Sequence, residues 1–443
     1  MRQDDASLAY HDSRDEISYG TIENQIYPVG DHAAFYKGIG CENRRSLRKD
    51  LKKERSAKLN STEENTTLLT GDVSQRSVLS KKESDLSVLR GMIFGSHINL
   101  LLLAMPFAII SHIHEWSPTS VFLLNFTAMI PLAALLGAFT EEVAAHTNQT
   151  IGGLVNATFG NAVEVVVAIQ ALLAGEIRVV QASMIGSIFS NLLLVLGCCF
   201  FFGGLKHREQ QFQSTNATAN MGLLALSCVA LVLPTPFAQY YDVNDEIVLD
   251  ISRAVAICLM FMYLQLLIFQ LKTHADLFDD DDEEGTDMSF LTAILGLVTT
   301  TLIICKLSDY LVQSIDGFCL GSGLSRTFTG LIILPIVGNA VEHATAVSVA
   351  MKNKMELAMG VCVGSCTQIS LFVTPLTVLV GWAAGRPMSL NFPPFEIVLF
   401  ILSVVIVSIL VSNGKSNWLE GSMLITTYIL IGIGFWFEKV VNY

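Results

Sequence analysis

From residue 92 onward the chain is a succession of long apolar runs, roughly 92–111, 119–139, 151–174, 179–203, 217–236, 247–271, 288–306, 328–350, 356–381, 395–412 and 420–438. Crossing the ~30 Å hydrocarbon core of a bilayer takes about 20 predominantly apolar residues, and most of these runs meet that length. Lipid offers the backbone no hydrogen-bond partner, so a spanning segment closes its bonds within a helix or a closed barrel. A barrel would alternate apolar and polar residues, and these runs do not. The expected fold class is therefore all-α, a polytopic membrane protein of about eleven transmembrane helices. Composition agrees: 51% of the 443 residues are hydrophobic and 15% charged, against about a quarter charged in ordinary soluble domains.

Charge is unevenly placed. Residues 1–90 carry 15 basic and 15 acidic side chains, so the net charge of −13 falls on the apolar remainder. An acidic, apolar chain without a basic patch is a poor partner for nucleic acid and a good one for a cation. The polar stretch 1–90, which includes the basic segment Arg44 to Lys58, is expected to be a disordered cytosolic tail. No signal peptide opens the chain, so the first span itself is expected to target the membrane. Loop charges give almost no orientation bias. Lys81, Lys82 and Arg90 beside the first span place the N-terminus in the cytosol. Most of the nine cysteines sit inside apolar runs; Cys362 and Cys366 lack histidines at zinc-site spacing and read as small core residues.

Two features organise the apolar part. Between the sixth and seventh runs, residues 276–287 hold eight carboxylates, including Asp279, Asp280, Asp281, Asp282, Glu283 and Glu284. Without the ordered ligand spacing of an EF-hand, they read as a solvated linker between two halves or as a cytosolic segment that attracts or senses cations. The linker separates two copies of one motif, Gly160-Asn-Ala-Val-Glu164 and Gly338-Asn-Ala-Val-Glu342, 178 residues apart. At the same offset Gly186-Ser187 matches Gly364-Ser365, Leu193 matches Leu371 and Val195 matches Val373. The expected organisation is a first helix (91–118), a five-helix repeat (119–275), the acidic linker (276–287) and a second five-helix repeat (288–443). An odd number of spans per repeat inserts the copies in opposite senses, the plan of secondary transporters whose ion sites lie near the midplane.

The motif has a chemical reading. A carboxylate at the bilayer centre costs at least about 2.5–3.5 kcal/mol and is a functional hypothesis by default. Asn161 and Glu164 are three apart, as are Asn339 and Glu342, so each pair is expected on one helical face. Two Glu from opposite halves supply charge and hard oxygens for a divalent cation such as Ca²⁺. Ser187, Ser365 and Gln368 offer neutral oxygens. His343 follows Glu342, off its face, and reads as a packing residue or as a group that tunes or carries a proton. Glu141 and Glu142 end the second run, and Asp309 is expected just beyond the seventh; these read as entrance carboxylates or as ordinary helix-end charges. The structural alternative for the Glu pair is two protonated, polar helix contacts.

The segments Asn156-Ala-Thr-Phe-Gly-Asn-Ala-Val-Glu164 and Leu334-Pro-Ile-Val-Gly-Asn-Ala-Val-Glu-His343, with Lys352-Asn-Lys-Met355, Gly364-Ser365, Gln368-Ile369 and Phe372-Val373-Thr374-Pro375, resemble the calcium/proton exchanger family of the calcium/cation antiporter superfamily. The overall look is similar to fungal vacuolar members. The resemblance implies eleven helices, export of Ca²⁺ from cytosol into an acidic vacuole in exchange for H⁺, and Glu164 and Glu342 as transport carboxylates. Asp309 departs from the glutamate usual at that place. No cofactor is expected; Ca²⁺ and H⁺ are cargo, and membrane lipid is the solvent. Sodium coupling and Mn²⁺ or another divalent cargo stay open, as does a channel. No HExxH, GxSxG or paired Cys/His pattern supports a membrane enzyme.

Overall fold

The computed structural model describes residues 85–274 and 286–441. The basic segment Arg44 to Lys58 and the carboxylates Asp279 to Glu284 lie outside the described residues. Among those residues eight helices are long and apolar enough to cross a bilayer singly, and three bent pairs bring the number to eleven if each pair is one span. In chain order α1 (Asp85–Phe94) and α2 (His97–Ile113) meet at 87°, α3 (Pro118–Ala145) follows, and α4 (Ile151–Phe159) and α5 (Ala162–Ala174) meet at 48°. Next come α6 (Ile177–Lys206), α7 (Ala217–Tyr241), α8 (Asp245–Thr273) and α9 (Phe290–Ser322). In the last stretch α10 (Arg326–Ile336) and α11 (Gly338–Ala350) meet at 47° and precede α12 (Met355–Ala383), α13 (Pro394–Val411) and α14 (Trp418–Glu438).

Small polar residues set the helix starts. Ser117, Asn148, Asn244 and Ser289 each accept a backbone N–H from three residues on, which satisfies a donor the helix cannot. The left-handed glycines Gly175 (φ 90°) and Gly323 (φ 74°) stop α5 and α9.

Two spans differ from expectation. The first begins with a helix already at Asp85, inside the stretch expected as tail, and turns sharply at Gly95. A Cβ there would fall 2.2 Å from the Gly91 carbonyl oxygen, so only glycine fits. The crossing stretch is thus α2, with seven 3₁₀ residues and ten α residues, about 29 Å at ~2.0 and ~1.5 Å per residue. The seventh span runs to Ser322 rather than stopping near 306. The apolar run ends at Lys306, but Lys306 Nζ pairs with Asp309 Oδ2 (3.1 Å) and Gln313 bonds Asp309 Oδ1 (2.7 Å), so the helix continues through the charges.

Cross-links between loops fix the alternation. On one face, a two-stranded ladder pairs β1 (Gln210–Gln211, after α6) with β2 (Lys415–Ser416, after α13). There Gln210 Nε2 also donates to the Ala350 carbonyl at the end of α11 (2.8 Å). On the same parity, Glu142 at the end of α3 accepts the N–H of Asp287 (3.2 Å) ahead of α9. On the opposite face, Gln181 donates to the carbonyl of Ser389 (2.8 Å), Thr235 donates to that of Phe392 (3.1 Å), and Arg326 pairs with Glu176 (3.5 Å). Each link joins segments an even number of spans apart, as strict alternation requires.

The halves are inverted. Gly317 of α9 lies against Pro118 at the start of α3, and Gly296 near the start of α9 lies against Phe139, so α9 runs antiparallel to α3. The offset of 178 seen in the motifs is carried by the elements themselves. The helical stretches Ile177–Phe189 and Met355–Gln368 begin 178 residues apart, the π turns Ser190–Val195 and Ile369–Val373 end 178 apart, and the following stretches begin at Leu196 and Thr374.

Arg178 at the start of α6 forms a two-bond ion pair with Glu396 in the first turn of α13, and the Glu396 side chain is fully buried. Removing one partner of a buried pair costs about 3–5 kcal/mol, because the other charge is left alone. Arg178→Ala is expected to lower the thermal midpoint of the detergent-purified protein clearly, and Arg178→Met with Glu396→Leu to recover most of the loss. Equal midpoints for Arg178→Ala and wild type would count against a stabilising pair.

Candidate ion-binding site

The break between α4 and α5 delivers the first carboxylate. Asn161, expected on one helical face with Glu164, instead stands outside the helix as the N-cap residue of α5 (φ −106°, ψ 26°). Its side chain is therefore released from the helix surface and reaches the other half of the molecule. Asn161 Nδ2 donates to Gln368 Oε1 (2.5 Å), and Ser365 Oγ donates to Asn161 Oδ1 (3.4 Å). Asn191 Nδ2 in turn donates to Ser365 Oγ (3.2 Å). Buried polar groups are costly unless bonded; these bonds satisfy both amide atoms of Asn161 across the seam with α12, while Asn191 Oδ1 has no hydrogen-bond partner among the described residues. Glu164 lies in the first turn of α5, where the helix N-terminus favours an anion, and is buried.

The second half makes its bend differently. Pro335 cannot donate a backbone N–H, and α10 itself contains a π turn, Thr329–Ile333. The Leu331 carbonyl is pressed against Gly186 of α6, where a Cβ would fall 2.1 Å from its oxygen. One turn before Glu342, a Cβ at Gly338 would fall 3.1 Å from Glu164 Oε1. The carboxylate of the first half thus rests on the backbone of the second half's motif. Asn339 is fully buried, and among the described residues neither of its amide atoms has a hydrogen-bond partner, whereas the equivalent Asn161 is bonded. Glu342 is half-buried. His343 Nε2 lies 3.4 Å from Ser190 Oγ. Cys366 Sγ donates to the Ile188 carbonyl (3.5 Å), two positions equivalent under the repeat, which puts the crossing of α6 and α12 on the pseudo-twofold axis. Cys362 and Cys366 are both buried.

A cavity opens on Glu164. Its polar lining is Glu164, Ser183 and Ser187; Val163, Val167, Met184, Leu334, Pro335 and Gly338 supply most of the rest, with Met129 and Leu311 from α3 and α9. Ser183 was not legible as a site residue, because its equivalent under the repeat is Val361. Its signal is position only, one turn before Ser187.

The acidic residues Glu141, Glu142 and Asp309 do not join this cluster. Asp309 is mid-helix and paired with Lys306, not beyond a helix end. Glu141 lies two residues from Phe139, which packs at the level of Gly296, thirteen residues from Asp309. That separation is about 20 Å along the axis at ~1.5 Å per residue. Among the described residues no three His, Cys, Asp or Glu side chains converge as a metal cluster. The donors assembled here are carboxylates, amides and hydroxyls, which suit a hard, oxygen-seeking cation rather than a thiolate-preferring metal.

Two inverted five-helix halves, each with a glutamate at its central bend, define the class: a polytopic membrane protein of the inverted-repeat carrier architecture. The family model described as sodium/calcium exchanger protein matches residues 117–272 and 292–437. The chain is 44% identical over 361 residues to the Ca(2+)/H(+) antiporter of Aphanothece halophytica, covering 77% of this chain and 96% of that protein. It is 40% identical over 360 residues to the vacuolar calcium ion transporter of Schizosaccharomyces pombe, covering 79% and 86%. Among solved structures, native YfkE superposes with a TM-score of 0.68 at 34% identity, covering 76% of this chain and 99% of YfkE. The chain belongs to the calcium/proton exchanger family, within the sodium/calcium exchanger proteins.

Proposed function

We propose that this protein is a secondary active antiporter that moves Ca²⁺ from the cytosol into an acidic, vacuole-like lumen in exchange for H⁺. One observation carries the reading: Glu164 of one half rests on Gly338 of the other, a turn from Glu342, beside the Asn161–Gln368–Ser365 seam. Binding a divalent cation there requires ionised carboxylates, so protons and metal compete for the same oxygens. Asn161, Asn339, Ser187, Ser365 and Gln368 complete the oxygen set, and His343 sits where it can pass or tune a proton. Facing neutral cytosol the site takes metal; facing an acidic lumen it takes protons. Each pH unit across the membrane supplies about 1.4 kcal/mol per proton.

The face that carries Glu142, Asp287 and the β1–β2 ladder is assigned to the cytosol, with the N-terminus. Glu141 and Glu142 then attract cations at the cytosolic entrance, and Asp309 does so further along α9 toward the lumen. The segment Asp279 to Glu284 gathers divalent cations beside the same cytosolic face. Similarity to a Ca(2+)/H(+) antiporter and to a vacuolar calcium ion transporter supports Ca²⁺ as cargo, H⁺ as counter-ion and a vacuolar membrane as the site of action; Mn²⁺ is a competing cargo.

The test uses full-length protein in liposomes with an acidic interior and no Na⁺. Radiolabelled Ca²⁺ is expected to accumulate, and a protonophore is expected to abolish the accumulation. Uptake that needs Na⁺ and ignores the pH gradient would replace this reading with sodium-coupled exchange.

A further inference from the structure

At the break before Glu164, Gly160 N–H still bonds the Asn156 carbonyl and Val165 N–H bonds the Asn161 carbonyl (2.8 and 3.0 Å). A continuous helix would also bond Asn161 N–H to the Ala157 carbonyl. That bond is missing, and the Tyr263 hydroxyl of α8 donates to the Ala157 carbonyl instead, at 3.3 Å. The same tyrosine is buried, and its ring stacks on Phe372, with centroids 4.8 Å apart and planes 19° apart. Phe372 lies in the π turn Ile369–Val373, which directly follows Gln368, the partner of Asn161. One side chain therefore touches both irregular segments that frame the Asn161 amide: its hydroxyl closes the helix break, and its ring braces the π turn.

We propose that Tyr263 is a positioning residue for cation binding. Its hydroxyl occupies the carbonyl freed at the break and thereby holds Asn161 at the α5 N-cap with Glu164 one turn on. It acts through the backbone and does not itself touch the ion. This inference rests on the proposed transport function for its kinetic readout, and a second readout is independent of that function.

The experiment compares wild type with Tyr263→Phe, which keeps the ring on Phe372 and removes only the hydroxyl. In liposomes, the KM for Ca²⁺ is expected to rise about three- to tenfold, the factor lost with one ordinary hydrogen bond, while the maximal rate stays within about twofold. In the purified protein, amide hydrogen exchange is expected to quicken in 158–163 and to stay unchanged in peptides from α13 and α14. Unchanged KM in a preparation where wild type transports, or unchanged exchange at 158–163, would overturn the assignment. If wild type itself moves no Ca²⁺, the transport reading fails and the exchange measurement alone decides the role of Tyr263. Tyr263→Leu, which loses the ring contact too, is expected to add a fall in thermal midpoint that Tyr263→Phe does not show.

Discussion

Glu164→Gln and Glu342→Gln are each expected to reduce proton-driven Ca²⁺ uptake to background while the protein remains in the membrane at wild-type amounts. Glutamine keeps the size of glutamate and one carbonyl oxygen, so the fit of Glu164 against Gly338 survives. What it removes is the negative charge and the ability to exchange a proton. A divalent cation in a buried site then faces one carboxylate of the pair. Losing one partner of a desolvated charge interaction costs about 3–5 kcal/mol, more than about a hundredfold in occupancy. The proton half of the cycle fails for a separate reason, because an amide cannot alternate between charged and neutral forms. Uptake assays in liposomes, with protein amount and thermal midpoint measured in parallel, check this. Either variant transporting normally would remove that glutamate from the site.

The second large effect separates two glycines that the repeat makes equivalent. Gly186→Ala is expected to destabilise the protein and abolish uptake, whereas Gly364→Ala is expected to leave both nearly unchanged. A methyl at Gly186 meets the Leu331 carbonyl oxygen at 2.1 Å and its carbon at 2.7 Å. These are backbone atoms, which cannot swing aside, so α6 and α10 have to part. Overpacking of this kind costs typically about 1–3 kcal/mol, occasionally more. The displacement falls one residue from Ser187, on the wall of the cavity that Glu164 faces. At Gly364 no atom lies within 4 Å of the added methyl, and alanine is a better helix former by up to about 1 kcal/mol. Thermal midpoints and uptake rates of the two variants decide it; matched losses at both positions would contradict the asymmetry.

Much of the fold was legible because it depends on local quantities. The eleven apolar runs correspond, among the described residues, to eight helices long enough to cross a bilayer singly and three bent pairs, since hydrocarbon thickness sets the length of a helix, and their bounds depart most from expectation at the first and seventh. The break in the first was not legible because a glycine at Gly95 leaves hydropathy unchanged while the chain turns by 87°. The seventh was cut short because a window counts Lys306 and Asp309 as two charges, where the helix holds them as a pair. In the site, the motif spacing singled out Glu164 and Glu342, but it placed Asn161 on the helix it caps.

The sequence by itself determined the class of molecule, its train of apolar segments and its internal repeat, because hydropathy and the 178-residue offset are properties of the chain alone. Only the tertiary structure decided how unlike the two copies are. It bends one half at Gly160 and the other after Pro335, bonds Asn161 but not Asn339, crowds Gly186 but not Gly364, and brings Tyr263 to the Ala157 carbonyl. Those differences arise where surfaces distant in sequence are pressed together, and contact across such distances leaves no trace in either segment read alone.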